Sequence, residues 1–510
     1  MKNSISLSHL KNDLPAGIVV FLVALPLCLG VALASGAPLF AGVIAGVMGG
    51  IIVGLFSGSQ LGVSGPAAGL TVIVYNAIQS IGVYEAFLLS VVFAGVFQIL
   101  FSLIGAGKIA YFFPLSVIKG MLTAIGIIII LKQLPHAFGL DKDFEGDFGF
   151  FQPDGENTFS ELIRVKDLFE TGALVIGLVS LLILNVWDSL SKKVSFLAQI
   201  PGPLICVIAG IVINSAFGEG LKLQSEHLVS LPIANSPAEF FSFLRFPDFT
   251  AVSNVMVWKT AFVIAIIASL ETLLCVEATD KLDPEGRLTP TNRELFAQGF
   301  GNMVSGFIGG LPLTQVIVRS SANLQSGGKT KVSTIFHGLL LLICAIFIPQ
   351  IINMIPLSSL AAILIMVGYK LAKPSIFVES YKEGLNQFIP FVITVIAIVF
   401  TDLLTGILIG LCIGICYVLY TNFRSAVLYQ TEGNSKLIIF NKDIFFFNRA
   451  EVANVLRRIE DGDNVYVDAT KANFIDYDVY VTLNEFAKEA KLRGINLDLK
   501  GITLRKTKQK

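Results

Sequence analysis

Apolar runs long enough to cross a lipid bilayer follow one another along most of this chain, and they limit its fold more than any other feature. A helix of roughly 17 to 25 apolar residues crosses about 30 Å of hydrocarbon. We count about fourteen apolar segments between Leu14 and Tyr420, two of them too short to cross alone. The sequence therefore predicts an all-α polytopic membrane protein with segments at about 14–34, 38–56, 66–80, 83–105, 109–133, 171–190, 196–217, 255–278, 292–311, 314–325, 332–355, 357–372, 387–402 and 404–421.

The composition supports a bilayer protein and argues against a nucleic-acid-binding one. Charged residues make up 15% of the 510 residues, and 54% are hydrophobic. Soluble domains carry about 25% charged residues, so the bilayer is the main solvent here. Lysine plus arginine and aspartate plus glutamate each number 37. The chain therefore has no net positive field that would attract nucleic acid.

The cysteines and the one loop that resembles a nucleotide-binding motif indicate neither a cofactor nor an enzymatic activity. Ser326-Gly327-Gly328-Lys329-Thr330 resembles the end of a phosphate-binding loop, but Asn323 replaces its first glycine and no strand precedes it. No cysteine belongs to a Cys-x-x-Cys pair, and all six lie in apolar stretches. We therefore expect no metal site and no disulfide, but buried free thiols at Cys28, Cys206, Cys275, Cys344, Cys412 and Cys416.

Basic residues in short loops predict the orientation in the membrane, because such loops lie in the cytoplasm. With a cytoplasmic N-terminus, the short inner loops contain many lysines and arginines and the short outer loops contain none. We therefore expect a multi-pass protein of the cell inner (plasma) membrane with both termini cytoplasmic. The inner-loop residues are Lys108, Lys192, Lys193, Lys281, Arg287, Arg293, Lys329, Lys331, Lys370, Lys373 and Lys382.

Glycines recur every four residues in two of the apolar segments. One series is Gly42, Gly46, Gly50 and Gly54, and the other is Gly406, Gly410 and Gly414. This spacing places a stripe without side chains on one helix face, where a second backbone can approach closely. The stripes predict helix packing.

The composition changes after Tyr420, where charged residues return. Strands are predicted at 438–447, 465–468 and 495–499, and amphipathic helices at 450–458 and 479–493. We expect residues 1–425 to form a transmembrane domain and residues 426–510 a small cytoplasmic α/β domain.

Two interrupted segments, about seven spans apart, predict the functional site. The first follows Gly62-Val63-Ser64-Gly65-Pro66, with a helix expected to start at the proline; the second follows Gly309-Gly310-Leu311-Pro312, with a helix expected from Thr314. An inverted repeat would bring the two together at mid-membrane. A helix N-terminus carries about half a positive charge and several free N–H groups, so two of them form an anion site. The alternative is that both segments are re-entrant plugs without a ligand.

Three charged residues lie within apolar segments, where a charge is costly and a function is expected. Arg319 faces a cavity, or else it snorkels or pairs with an acid for structural reasons. Glu271 carries a proton or binds a cation, or else it is the fixed partner of Arg319. Lys119 favours an anion path or snorkels to the surface.

These residues resemble the sulfate permease (SulP, solute carrier 26) family of anion transporters, which end in a STAS domain. The resemblance covers nearly the whole chain, and it looks closest to a bacterial branch that includes candidate bicarbonate and sulfate carriers. It is carried in the membrane region by residues 62–70, 269–271, 289–295, 318–323 and 326–327, and in the C-terminal region by residues 465–468, 474–476 and 492–497.

The resemblance implies seven plus seven inverted spans and a homodimer. As in uracil-permease-like proteins, a core domain (spans 1–4 and 8–11) would move against a gate domain (spans 5–7 and 12–14). Substrate would lie between the third and tenth spans, where Ala67 and Ala68 face Val318, Arg319 and Ser320.

The chain departs from the family pattern at three places. In the first span Leu27 follows Pro26, with Val31 four residues later, where a glutamine and an aromatic residue are common, so this wall of the pocket is less polar. Glu271 and Cys275 replace an aspartate and a hydroxyl residue of sodium-coupled members, and a thiol is a poor ligand for a hard cation. In the STAS region Asp478 replaces a phosphorylatable residue, which argues against phosphoregulation there.

The sequence thus predicts a secondary active transporter of a small inorganic anion, bicarbonate or sulfate, that works by elevator-type alternation. The departures favour proton coupling or anion exchange. Three alternatives stay open: a passive anion channel, a sodium-coupled bicarbonate symporter, and a membrane-tethered binding module whose C-terminal domain recruits a partner.

Overall fold

The structure is a computed structural model that describes residues 7–141, 150, 157–160, 170–190, 200–218, 220–234, 237–423 and 426–502. The side chain of Ala68, the predicted inner-loop residues Lys192 and Lys193 and the last eight residues lie outside the described part. The chain forms two compact units, residues 1–411 and residues 412–510.

The first unit is built from helices that follow the predicted apolar segments, and the last of these helices continues past residue 411 into the second unit. A helix lies within each of the fourteen segments. The helices are α1 (Leu10–Ala34), α2 (Leu39–Phe56), α3 (Thr71–Ile81), α4 (Tyr84–Leu103), α5 (Leu115–Ala137), α6 (Thr171–Leu190), α7 (Gly202–Ala216), α8 (Val255–Leu282), α9 (Thr291–Phe307), α10 (Ile317–Gln325), α11 (Val332–Phe347), α12 (Leu357–Leu371), α13 (Pro374–Lys382), α14 (Leu385–Phe400) and α15 (Leu403–Phe423).

These helices have the apolar character of membrane spans. In the described part of the chain, six of them are long and apolar enough to cross a bilayer, and six shorter ones are also apolar. Their large exposed side chains are mainly hydrophobic, for example Leu103, Leu182 and Val255. Such a surface suits lipid as the surrounding solvent.

Both predicted helix starts in the interrupted segments are wrong. Pro66 ends a short strand, β1 (Ser64–Pro66), and α3 begins five residues later, after a 3₁₀ turn at Ala68–Leu70. Thr314 lies inside a second strand, β2 (Leu313–Gln315), and α10 begins at Ile317. Proline disfavours helical backbone at the residue that precedes it. Extended segments that pair with each other also satisfy backbone groups that have no water nearby.

The glycine stripes lie where helices approach most closely, as predicted. A Cβ atom on Gly42 would lie 1.9 Å from the Cys28 carbonyl oxygen, and one on Gly50 would lie 2.6 Å from Cα of Gly338. Gly410 is equally crowded by Thr394. The expectation for the cysteines holds in part, because four are buried free thiols but Cys412 and Cys416 are exposed on α15.

The second unit contains a four-stranded sheet in the order β3-β4-β5-β6. β3 (Val427–Glu432) and β4 (Ser435–Phe440) form an antiparallel hairpin, and β5 (Asn464–Asp468) and β6 (Asn496–Lys500) add in parallel. The helices are α16 (Arg449–Leu456) and α17 (Tyr477–Leu492). Buried residues such as Phe440, Val467 and Val479 form its core.

The predicted helices and last two strands of this unit agree with the structure within a few residues. The strand predicted at 438–447 ends at Phe440 instead, and β3 is missed. β3 is an edge strand that exposes polar residues from Gln430 onwards, so it lacks the apolar alternation that marks a strand in a sequence.

Candidate functional site

The two interrupted segments meet as a short antiparallel strand pair inside the first unit. Ser64 pairs with Gln315, Gly65 with Thr314 and Pro66 with Leu313. The Val316 N–H donates a hydrogen bond to the Val63 carbonyl oxygen at 2.9 Å and extends the pair by one residue. Each strand leads directly into a short helical segment. The chain therefore brings two helix starts to one place, as an inverted repeat would require.

Helix α8 presents one polar side chain to each of these starts. The Glu271 carboxyl faces the Gly69 amide in the turn after β1, and a Cβ atom on Gly69 would lie 3.1 Å from Glu271 Oε2. One helical turn later, the Cys275 thiol faces the Ile317 amide at the start of α10. Glu271 Oε2 accepts no hydrogen bond from the described residues. A carboxyl and a thiol thus sit directly against the amides that an anion would use.

A small cavity opens beside Glu271 and Cys275. Its volume is about 20 Å³, which is room for about one water molecule. Residues from α5 and α15 close its far side. It is lined by Gly69, Met121, Ile267, Glu271, Leu274, Cys275, Leu403, Leu404 and Ile407.

Arg319 lies behind the strand pair and does not line this cavity. Its side chain is 1% exposed. Its Nη1 atom is so close to Gly65 that a Cβ atom there would lie 1.9 Å away. The Cys28 thiol and the His337 ring are its polar neighbours. Within the described part of the chain, Nε and Nη1 of Arg319 have no hydrogen-bond partner.

Arg319 and Glu271 form no ion pair within the described residues, so the alternative that each is the other's fixed partner is not met in this conformation. The guanidinium is a buried positive charge that lies against β1 with neutral neighbours. Such a charge makes the potential at the strand pair positive.

Ser320 connects the two segments. The Val63 N–H donates to Ser320 Oγ at 3.0 Å, and that hydroxyl donates to the Val316 carbonyl oxygen at 2.8 Å. Both hydrogen bonds hold the ends of the strands together. In this conformation the hydroxyl of Ser320 is therefore used within the protein and does not line the cavity.

The remaining predicted site residues with described side chains are buried in the hydrophobic core and do not line this cavity. Leu27 and Val318 share one buried cluster with Leu274 and Cys275, and Val31 and Ala67 share another. Pro26 is buried inside α1, where it removes one helical hydrogen bond. The side chain of Ala68 lies outside the described residues.

Sequence reasoning missed a row of polar side chains on α9 that supports the strand pair. Glu294, Gln298 and Asn302 are spaced by four residues and therefore share one helix face. Gln298 Nε2 donates to Ser64 Oγ at 2.6 Å and to Glu294 Oε1 at 2.9 Å. The signal was present, since three polar residues at this spacing stand out in an apolar segment.

Asn302 holds β2 as a neighbouring strand would. Its Nδ2 donates to the Leu313 carbonyl oxygen at 3.0 Å, and its Oδ1 accepts from the Leu313 N–H at 2.7 Å. Nδ2 also donates to Gln98 Oε1 at 2.7 Å. All of Asn302 is buried. The side chain thus replaces the backbone partner that a two-stranded pair lacks on this edge.

Lys119 has a role that the sequence left open. Its Nζ lies 2.6 Å from Glu383 Oε1, and the two side chains are 39% and 46% exposed. The lysine is therefore paired at a solvent- or headgroup-exposed position and is not part of the cavity beside Glu271.

Outside the spans, Asp141 connects two histidines. Its Oδ1 lies 2.7 Å from His136 Nδ1 and its Oδ2 lies 2.7 Å from His227 Nδ1. Burial alone would raise the pKa of Asp141, but the two histidine hydrogen bonds lower it below its ordinary value. The hydrogen bond to Asp141 raises the pKa of His227. The cluster joins the end of α5 to the loop before α8.

Comparison with known proteins shows the family of this chain. Residues 10–397 match the Sulfate permease family. YvdB of Bacillus subtilis is 29% identical over 368 residues, which cover 72% of this chain and 66% of YvdB, so the match spans just under two thirds of that relative.

Two solved structures share the fold. The transmembrane domain of a cyanobacterium bicarbonate transporter, BicA, is 26% identical with a TM-score of 0.55, covering 81% of this chain and 99% of that one. The murine anion transporter Slc26a9, in an inward-facing state, has a TM-score of 0.68 over 99% of this chain and 86% of that one, at 17% identity. The family match covers most of the chain, and the chain therefore belongs to the sulfate permease family of anion transporters.

Proposed function

We propose that this protein is a secondary active transporter of a small inorganic anion, with bicarbonate and sulfate as the first candidates. The observation that carries the proposal is the meeting of two helix starts at the β1–β2 pair, with Glu271 and Cys275 against them. The similarity to the bicarbonate transporter BicA supports bicarbonate. The family itself supports sulfate.

An anion would bind in front of the strand pair, between Gly69 and Ile317. The amides at both helix starts supply hydrogen-bond donors and partial positive charge, and an anion would replace Glu271 at the Gly69 amide and Cys275 at the Ile317 amide. The buried guanidinium of Arg319 adds a full positive charge from behind β1. In this proposal the backbone at Ala67 and Ala68 and the side chain of Val318 lie beside the ligand, while Leu27 and Val31 keep the opposite wall apolar.

Glu271 would couple transport to protons. An ionised carboxylate beside Gly69 repels an approaching anion, whereas a protonated carboxyl does not. Loading of the anion would thus favour protonation of Glu271, which gives proton symport or pH-dependent exchange. The thiol of Cys275 makes a sodium site unfavourable, because Na⁺ prefers oxygen ligands.

Alternating access would require the two groups of helices to move apart. The cavity of about 20 Å³ has room for about one water molecule and is closed by Met121, Leu404 and Ile407. We propose that the core (spans 1–4 and 8–11) carries the strand pair past these gate residues, in an elevator-type movement. The same proposal includes fourteen spans in a 7+7 inverted repeat, a STAS-like domain at 426–510, a homodimer, and cytoplasmic termini at the plasma membrane.

Counterflow into proteoliposomes tests this function. Labelled bicarbonate, sulfate and a dicarboxylate are compared at two pH values, with and without sodium. We expect saturable counterflow of bicarbonate or sulfate that depends on pH and not on sodium. Unsaturable flux that a proton gradient cannot drive uphill would indicate a passive channel, and dependence on sodium would indicate a sodium symporter.

Two variants connect the assay to the site. Glu271→Gln should still exchange anion but lose its dependence on pH. Arg319→Ala should lower the apparent affinity for the anion. Transport that neither substitution changes would remove both residues from the mechanism. Transport that survives deletion of residues 430–510 would show that the first unit works alone.

A further inference from the structure

The loop after α10, residues 326–331, binds a carboxylate with its backbone. Asp13 Oδ1 accepts the N–H groups of Lys329 and Thr330 at 2.8 and 2.9 Å, and Thr330 Oγ1 donates to Asp13 Oδ2. Asp13 lies in the first turn of α1 and is fully buried. The motif that resembles the end of a phosphate-binding loop therefore does hold an acidic group, but this group belongs to the chain itself.

The connection from α10 to Asp13 has no slack. α10 ends in a Schellman motif, in which Gly327 adopts a φ of +84° and its N–H donates to the Leu324 carbonyl oxygen at 3.0 Å. The Gly328 N–H donates to the Asn323 carbonyl oxygen, also at 3.0 Å. Lys329 follows at once. The position of Asp13 is therefore transmitted to α10 through a backbone whose N–H groups are all hydrogen-bonded.

The carbonyl group of Lys329 is tied to α8. Arg287 Nη1 donates to the Lys329 carbonyl oxygen at 2.7 Å. Asp283, the residue directly after α8, holds this guanidinium at two points, with Oδ2 2.6 Å from Nε and Oδ1 3.2 Å from Nη2. A two-point contact fixes the direction of a guanidinium. The N–H and the carbonyl group of Lys329 are thus tied to two different helices, α1 and α8.

The three helices that meet at Lys329 are the ones that supply the proposed anion site. α10 supplies the Ile317 amide, and α8 supplies Glu271 and Cys275. α1 supplies Leu27, which shares a buried cluster with Cys275. Because α10 has nine residues and is about 14 Å long, a shift of its last turn moves the Ile317 amide as well.

We propose that Asp13 and Arg287 are positioning residues for the anion site. Neither touches the anion. Both hold the loop after α10, and this loop keeps the Ile317 amide at a fixed place relative to α8 and α1. A binding site works only when its groups are held within about 0.5 Å of the productive geometry. The inference rests on the proposed transport function and names the groups that set its affinity for the anion.

Counterflow kinetics of the full chain with labelled bicarbonate and sulfate test this role. Asp13→Ala removes all three hydrogen bonds and should raise KM about tenfold, with a smaller change in kcat. Asp13→Asn should keep KM close to the parent value. Its Oδ1 still accepts both N–H groups, and its Nδ2 donates to the Thr330 hydroxyl oxygen. Arg287→Ala should raise KM less than Asp13→Ala, because its side chain is 30% exposed.

Asn214→Ala is the matched control for a general loss of stability. Asn214 on α7 is buried, and its Oδ1 accepts the Leu223 N–H at 2.8 Å. This variant should lower the unfolding temperature without changing KM, because α7 supplies no group to the proposed site. Equal increases of KM in Asp13→Ala and Asn214→Ala would overturn the inference, since loosening of the fold would then explain both.

An unchanged KM in Asp13→Ala, at a lowered unfolding temperature, would also overturn the inference, because Asp13 would then act on stability alone. If Asp13→Ala does not fold, Thr330→Val and Arg287→Ala take its place, and an unchanged KM in both has the same meaning. A parent protein without saturable counterflow would overturn the proposed function itself. Saturable counterflow in the parent with unchanged variants would overturn this inference alone.

Discussion

The strand pair in the first unit and the four-stranded sheet in the second unit are stabilised in different ways. β1 and β2 have three residues each, and side chains from helices hold them in place. Asn302 and Ser320 bond to the backbone of Leu313 and Val63, as further strands would, and Gln298 bonds to the hydroxyl of Ser64. The C-terminal sheet has four strands and its own apolar core. A single polar side chain should therefore matter far more at the strand pair than in the sheet.

The largest effect is expected from Gly49→Ala, which places a methyl group against β1. A Cβ atom on Gly49 would lie 2.3 Å from the Ser64 carbonyl oxygen and 2.8 Å from the Gly65 nitrogen. Backbone atoms cannot move away as a flexible side chain can. We therefore expect the free energy of unfolding to fall by about 3 kcal/mol or more and transport to be lost. Thermal unfolding in detergent and counterflow measure both. Gly218→Ala is the control, since no atom of the described residues lies within 4 Å of a Cβ atom at that position. Equal losses in the two variants would contradict the account.

Asn302→Leu should have the next largest effect. It leaves the N–H and carbonyl groups of Leu313 and the Oε1 atom of Gln98 without their Asn302 partner in a buried place, at about 1–3 kcal/mol for each unsatisfied group. We expect a loss of about 2–4 kcal/mol in the free energy of unfolding.

Asn496→Leu gives the matching change in the C-terminal sheet, where Asn496 Nδ2 donates to Asn464 Oδ1 at 3.3 Å in an exposed position. This variant should stay within about 0.5 kcal/mol of the parent. Chemical or thermal unfolding of both variants provides the test. Similar losses would show that the two regions are stabilised alike.

The Asp141 cluster lies between these extremes and should respond to pH. Because the pKa of Asp141 is lowered, its ionised carboxylate stabilises the fold at pH values above its ordinary pKa of 3.8. This stabilisation is lost as pH falls through the lowered pKa. Because the pKa of His227 is raised, its protonated ring stabilises the fold at pH values below its ordinary pKa of 6.5. This stabilisation is lost as pH rises through the raised pKa. Both contributions are therefore present together between pH 3.8 and 6.5.

Glu226 and Glu170 also face His227 and act in the same direction as Asp141. Asp141→Asn should lower the stability by about 1–2 kcal/mol at pH 6, with a smaller difference at pH 9. Unfolding temperatures measured across this range check the prediction. A difference that stays constant with pH would mean that the cluster acts through packing alone.

The smallest effect is expected from Lys119→Gln. The ion pair with Glu383 is more than one third exposed at both side chains, and such pairs contribute about 0–1 kcal/mol. We expect stability and transport close to the parent. A large loss of anion transport, with unchanged stability, would instead place Lys119 on the anion path.

The sequence predicted where the helices lie better than how the site is built. Long apolar runs identify helices regardless of their neighbours, and all fourteen segments contain one. The strand pair could not be predicted because the two segments, Ser64–Pro66 and Leu313–Gln315, pair with each other across a long stretch of sequence. Asn302 and Gln298 hold the pair, and both lie far from Ser64 in the sequence.

The charged site residues show the same limit. Glu271 could be identified from its cost in an apolar segment, and it lies against Gly69. The direction of the Arg319 side chain could not be predicted. Whether it faces the cavity or the back of β1 depends on the space left by Gly65, which has no side chain. The family resemblance implies that Ser320 faces the substrate. In this conformation its hydroxyl instead connects Val63 to Val316.

The central claim is that an anion binds where the two helix starts meet, and stabilisation of the purified protein by anion tests it most directly. Bicarbonate or sulfate should raise the unfolding temperature of the parent protein in a saturable way, because a ligand that binds only the folded state stabilises it. Gly69→Val fills the space in front of Glu271 and should abolish this increase, while Gly218→Ala should keep it. An equal increase in the Gly69→Val variant would show that the anion binds elsewhere.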